Sequence, residues 1–384
     1  MKIFKRHKLK IIFLILAVLI LAVLNTKWGR AFLKTTTFLP GIVPNSPIET
    51  VNPFATKLVI KEVEFTSGGR TINADLWLPK KSGKFPAAVL HLGVDIDRKD
   101  QRAQRVANAS ARSGVATLVP NVPSLSQRRV LLETKEDMIA AFEYLKTRPE
   151  VIPEKLGFIA FCASGGLALV AAEDAQVNEK VAFVVAINPY YDLFTLYKAL
   201  STHQKANGSS WHPDFKTAEI YNRETINTLS DDKEKEILSN YLVWINRTNL
   251  SSGNYRELSG GDRVKLSKDA SFIYDFLTNK DPAKFDFFEK NLLPEQQKLR
   301  EGLSPSTQIN NLNAKVFFLA DINNVYIPYT EAKMLKESLS DENVEYLETT
   351  LLPGADLPWE ISPKDLPGIF DLFKFVYKFF LELS

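Results

Sequence analysis

The chain predicts an α/β protein: a mostly parallel, doubly wound sheet that carries a helical insertion and follows an apolar amino-terminal segment. Three observations lead there. Short apolar runs fit for buried strands, at 87–92, 115–119, 156–161, 181–187 and 316–320, alternate with polar or helix-periodic stretches, the pattern of parallel strands joined by crossover helices. A hairpin precedes them, with 58–65 and 71–78 alternating apolar and polar positions around the turn Ser67, Gly68, Gly69, Arg70. A helix over 366–383 closes the chain, and its wide apolar stripe (Ile369, Phe370, Phe373, Val376, Phe380, Leu383) can cover one face of the sheet.

A chain of 384 residues, 45% hydrophobic and 24% charged, can bury one large core plus an elaboration. Lys and Arg number 48 against 45 Asp and Glu, for a net charge of +3. Lys2, Lys5, Arg6, Lys8 and Lys10 all precede the first apolar run, so the remainder is slightly acidic and nothing points to nucleic acid. The lone cysteine, Cys162, excludes an intrachain disulfide and leaves a thiol that is either a buried apolar group or a reactive one.

Residues 11–24 are uninterruptedly apolar behind that basic tail. As a helix they would cover roughly 21 Å, short for a hydrocarbon core of about 30 Å. No small-x-small cleavage site follows; Asn25, Thr26, Lys27 and Trp28 do. An uncleaved signal anchor is therefore expected over 1–30, with the amino terminus cytoplasmic and the folded domain extracytoplasmic. Secretion after cleavage is the alternative. Residues 31–57, punctuated by Pro40, Pro44, Pro47 and Pro53, read as a stalk without regular structure.

Beyond the hairpin and the strand at 87–92, a mostly polar helix is expected over 100–113, a strand at 115–119, and a helix near 131–147 with Leu131, Met138, Ile139, Phe142 and Leu145 at helical spacing. Pro149 and Pro153 mark the following loop, ahead of the strand at 156–161, a helix from Ala163, and the strand at 181–187. Residues 190–305 then break the rhythm, being polar, helical by pattern and rich in large aromatics such as Trp211, Tyr221, Phe276 and Phe285. A structureless loop of that length is improbable, so 191–302 reads as a helical cap inserted into a core of 58–190 and 303–384. The core resumes with the strand at 316–320, a helix at 328–339 and a strand at 344–351.

The strand at 156–161 runs into a small-residue turn with Cys162 at the bend. Ala160, Phe161, Cys162, Ala163, Ser164 and Gly165 resemble the strand-turn-helix of the α/β-hydrolase superfamily, and of its dienelactone-hydrolase-like group most of all. The resemblance covers roughly 58–190 and 303–383. It implies the α/β-hydrolase fold, with Cys162 as nucleophile and a helix amino terminus behind it to lower the thiol pKa. A second frame, Cys162 to Gly166 read as Gly-x-Ser-x-Gly, would make Ser164 the nucleophile. The resemblance also implies an oxyanion hole from the amide of Ala163 and one near Gly93 or Val94, with His91 shaping that loop. Aligning on Pro328 puts Asn324 at the acid position and leaves Asp321 as a displaced acid.

The triad histidine is missing. Its expected segment reads Pro353, Gly354, Ala355, Asp356, Leu357, with Leu357 at the histidine position, and no histidine follows His212. Without a base, thiol or hydroxyl attack loses several orders of magnitude. A rescue would need His203 or His212 to fold down from the cap, or Asp356 to act as the base. His203, His212 and Asp214 do not have metal-ligand spacing, and the sequence implies no cofactor. Two functions follow: a membrane-anchored, non-catalytic relative binding a small apolar molecule or a partner under the cap, slightly favoured, or an active hydrolase of esters or other carboxyl derivatives using Cys162.

Overall fold

The computed structural model describes residues 22–43, 55–248, 258–352 and 363–384. Most of the apolar run at 11–24, together with Asp356 and Leu357, lies outside the described residues. Among those described, no helix is long and apolar enough to cross a membrane.

Eight strands form one sheet in the order β1-β2-β4-β3-β5-β6-β7-β8. The hairpin is β1 (Leu58–Ser67) and β2 (Arg70–Pro79), in register from Leu58 opposite Pro79 to Ser67 opposite Arg70. β2 runs antiparallel to β4 (Ala116–Pro120), and from β4 onward every pairing is parallel, through β3 (Phe85–His91), β5 (Val151–Phe161), β6 (Phe183–Ile187), β7 (Lys315–Asp321) and β8 (Val344–Thr349). The sequence places the start of β5 at 156. It begins at Val151 because that residue pairs with Phe85 ahead of a register shift, and the irregularity accommodates Pro153.

Helices cover both faces, as buried parallel strands require. On one face α2 (Gln101–Arg112) and α12 (Leu366–Glu382) meet the sheet through Ala103, Ala107, Leu372 and Phe379, and α1 (Lys27–Ile42) packs on these two helices with Ala31 buried. The other face carries α3 (Leu132–Lys146), α4 (Ala163–Glu173) and α11 (Tyr329–Ser338), through Met138, Phe142, Leu167 and Leu335. Helix α1 corrects the expected stalk, since residues 31–42 are regular. Thr26 caps the helix by accepting from Gly29 N, and Pro40 falls in its last turn. Small residues on α1 let it approach α2, with Gly41 against Ala109.

Between β6 and β7 the chain forms α5 (Leu193–Thr202), α6 (Phe215–Ile226), α7 (Asp232–Thr248), α8 (Lys268–Thr278), α9 (Phe285–Lys290) and α10 (Pro294–Leu303). Their aromatics pack mainly on one another, as in the Tyr197–Tyr221 stack at 4.3 Å and the Phe194–Phe285 edge contact at 5.9 Å. Buried polar bonds hold this cap to the core. Arg129 grips Glu224 through two bonds of 3.1 and 2.9 Å, and Trp211 Nε1 donates to the Asn324 carbonyl at 2.8 Å. At the cap entrance, Glu331 of α11 accepts from Tyr191 N (3.0 Å), Asp192 N (3.1 Å) and Thr195 Oγ1 (2.8 Å).

Candidate active site

Cys162 stands between β5 and α4 with φ 51° and ψ −128°, in a region that glycine favours and L side chains occupy under strain. Neighbouring strands leave it little choice. Its N–H donates to the Ile187 carbonyl at 2.8 Å, and its carbonyl accepts from Gly165 N at 2.8 Å. The turn clears its neighbours only because the following helix is small. A Cβ on Gly166 would lie 2.5 Å from the Tyr190 ring, itself fixed by a 2.6 Å bond to the Leu303 carbonyl. The strained residue of the turn is thus Cys162, the nucleophile of the first frame.

Ser164, the nucleophile of the second frame, lies apart from the cavity that Cys162 faces. It is in the first turn of α4, fully buried, with its Oγ unpartnered among the described residues. The strain gives a direct prediction. At an ordinary buried position glycine is less stable than alanine by about 0.5–1 kcal/mol. At residue 162 the order should invert, with Cys162→Gly more stable than Cys162→Ala by about 1 kcal/mol in urea denaturation, and an alanine advantage would refute the strain.

The cavity is about 220 Å³ and has Cys162, Ala163, Gly93 and Val94 on its floor. Gly93, at φ 108°, lets the loop after β3 come close, since a Cβ there would sit 3.7 Å from Cys162 Cβ. Ala163 supplies the first amide of α4, which has no intrahelical partner. The expected oxyanion-hole residues therefore converge on the thiol. Above them the lining is apolar and largely from the cap, with Phe194, Ile220, Tyr221, Leu292 and Leu299.

The arginines around the cavity are already paired. Arg128 binds Asp95 at 2.7 Å, Arg300 binds Asp192 at 3.1 Å, and Arg102 holds Asp100 through Nε at 3.0 Å and a terminal nitrogen at 2.7 Å. Arg102 is the cation whose field acts on Cys162, but burial outweighs it and pushes the thiol up to about 12. The amino terminus of α4 favours the thiolate as Arg102 does, and desolvation acts against both.

The structure does not bring the other candidates to the thiol. Neither Asp321 nor Asn324 lines the cavity. The Asp321 carboxylate accepts from Asn323 N at 2.8 Å and Leu352 N at 2.5 Å, tying the ends of β7 and β8 together, and burial raises its pKa. Asn324 Oδ1 accepts from Tyr326 N and Ile327 N, both at 2.9 Å, while its buried Nδ2 has no partner among the described residues. His91 ends β3 outside the cavity lining, and burial depresses its pKa to about 3, so the ring is neutral. His203 caps α5 in the left-handed region and His212 is exposed; neither lines the cavity.

Sequence reasoning missed the acid that orders the cap entrance. Glu331 is buried and pushed up to about 7 by desolvation, against the pull of its three donors. An acidic residue in the first turn after Pro328 was a visible signal, but its partners lie some 140 residues away.

Residues 120–191 match the Dienelactone hydrolase family. The uncharacterized protein PA2218 of Pseudomonas aeruginosa is 31% identical over 176 residues, which are 41% of this chain and 47% of that protein, so the match spans about half the relative's length. Its crystal structure is similar over 86% of this chain and 96% of its own, at 21% identity and a TM-score of 0.45. Pyrococcus horikoshii acylaminoacyl peptidase is similar over 87% of this chain and 42% of its own, at 12% identity and a TM-score of 0.49. The sheet in the order 1-2-4-3-5-6-7-8 with a strained cysteine elbow after β5 has the α/β-hydrolase type of fold, and within it residues 120–191 are similar to the Dienelactone hydrolase family.

Proposed function

We propose that this protein is a membrane-tethered, non-catalytic relative of the hydrolases that binds a small apolar carboxyl derivative under its cap. The observation that carries the reading is a thiol at the elbow with no histidine beside it among the described residues: none of His91, His203 and His212 lines the cavity, and burial raises the thiol pKa further. Leu357 at the histidine position and Asn324 at the acid position support it, as does the apolar cap lining. The run at 11–24 would supply the tether, with the folded domain extracytoplasmic.

One observation favours the alternative, an active Cys162 hydrolase. The strained elbow persists, with Gly93 and Ala163 still arranged around it. Binding and turnover separate the two. The full-length protein is titrated with short-chain aryl esters and the matching unreactive amides, while ester cleavage is followed in the same samples. Saturable binding of both, weakened by Leu299→Trp and without cleavage above that of Cys162→Ala, is the expected result. Turnover that disappears in Cys162→Ala would overturn the proposal.

A further inference from the structure

Helices α1 and α12 lie side by side and run in the same direction. Phe32 meets Phe373 and Phe38 meets Phe380, each pair 5.7 Å between ring centroids, so six residues along one helix match seven along the other. Stepping back one turn sets Trp28 level with Phe370, and the start of α12 level with the chain just ahead of α1. These residues are large, apolar and exposed: Trp28 at 57%, and Val23, Leu366 and Phe370 at 60% each, with Phe32 at 47% beside them. Of the other large apolar side chains exposed among the described residues, Val59 and Ile60 are on the hairpin and Val264 and Phe287 are on the cap. A patch of this kind at one end of two helices needs an occupant.

We infer that this aromatic end of α1 and α12 rests in the headgroup region of an anionic lipid bilayer. Two features select lipid. The patch begins where the apolar run at 11–24 ends, because Val23 belongs to both. Its rim is cationic, with Lys27, Arg30, Lys364 and Lys374 against the acids Asp365 and Asp371. The Lys27 and Lys374 ammonium groups lie over the Trp28 and Phe370 rings at 5.3 and 4.3 Å, and that of Lys374 also pairs with Asp371 at 3.3 Å, an exposed ion pair that a lipid phosphate can replace. Tryptophan and phenylalanine flanked by lysine are the side chains that such an interface holds. The inference goes beyond the tether, although its choice of occupant rests partly on it, since it assigns the folded domain a fixed face toward the membrane.

The test uses the full-length chain in vesicles of phosphatidylcholine with phosphatidylglycerol. An environment-sensitive fluorophore is placed at Phe370→Cys or, as control, at Phe287→Cys, both in a Cys162→Ala background. Flotation reports the tether. Quenching by lipids spin-labelled at the headgroup reports the face. Emission from residue 370 should fall by roughly half while that from residue 287 stays unchanged. Flotation with no quenching at 370, or with equal quenching at both sites, would overturn the docking face and leave the tether standing. Failure to float would overturn both. Rapid disulfide dimerisation through residue 370 would give the face to a second copy of the chain, and would equally overturn the proposal.

Discussion

Replacing Glu173 with glutamine should stabilise the protein by about 3–4 kcal/mol at pH 7. Glu173 ends α4, is 1% exposed, and has an Oε1 without a hydrogen-bond partner among the described residues. Burial pushes its pKa up to about 9, with Lys135 opposing weakly because that ammonium is held by Asp174 at 2.8 Å. The carboxyl also sits at the negative end of the helix dipole, which further disfavours its charge. The native state therefore keeps a proton that the unfolded chain releases near the ordinary glutamate pKa. Between those two values the unfolded state binds fewer protons than the native one, so stability falls as pH rises. Glutamine keeps the shape of the protonated acid and cannot ionise, so its advantage should be near zero at pH 4, grow through neutrality, and level off above about pH 9. Urea denaturation of both proteins across that range checks it. A difference that does not vary with pH, or a less stable glutamine variant at pH 7, would show that Glu173 is ionised and satisfied in the fold.

How much of this was legible beforehand depended on what each feature needs to be recognised. The sheet was readable because buried parallel strands and their crossover helices impose different apolar periods, and 183–187 and 315–321 fall almost where 181–187 and 316–320 were expected. Helix α1 was not, since its contact with α2 uses small side chains such as Gly41, which carry no strong apolar signal, and the prolines beyond dominated the pattern. At the site, two frames fitted the letters of the turn. They differ in which residue takes the strained backbone angle, which the fold gives to Cys162, and sequence does not record φ. Asn324 was placed by analogy at the acid position, whereas in the fold its Oδ1 serves the loop backbone at Tyr326 and Ile327. The thiol shows the same limit from the electrostatic side. A helix amino terminus can be read from a pattern, while the desolvation that opposes it depends on what the cap, some 30 to 140 residues further on, lays over the site.

That desolvation makes Cys162 a slow nucleophile, and alkylation measures it. With the thiol near 12 instead of 9, the thiolate fraction at neutral pH falls by roughly three orders of magnitude. The greater intrinsic reactivity of a more basic thiolate recovers part of this, because nucleophilicity rises by about 0.4–0.5 log units per pKa unit. The net expectation is that iodoacetamide modifies Cys162 in the folded protein roughly 30- to 100-fold more slowly than a free cysteine at pH 7.5. The rate should still climb tenfold per pH unit through pH 10, where an ordinary thiol has levelled off. Limited access under the cap would slow the reaction further but would not alter that slope, so the pH profile isolates the ionisation from the steric effect. Rapid labelling that saturates below pH 8 would mean that a cation or a base reaches the sulfur in solution. Either the cap would then have to rearrange to bring His203 or His212 onto the thiol, or Arg102 of α2 would have to leave Asp100 for the sulfur, and the strained elbow would be a working nucleophile.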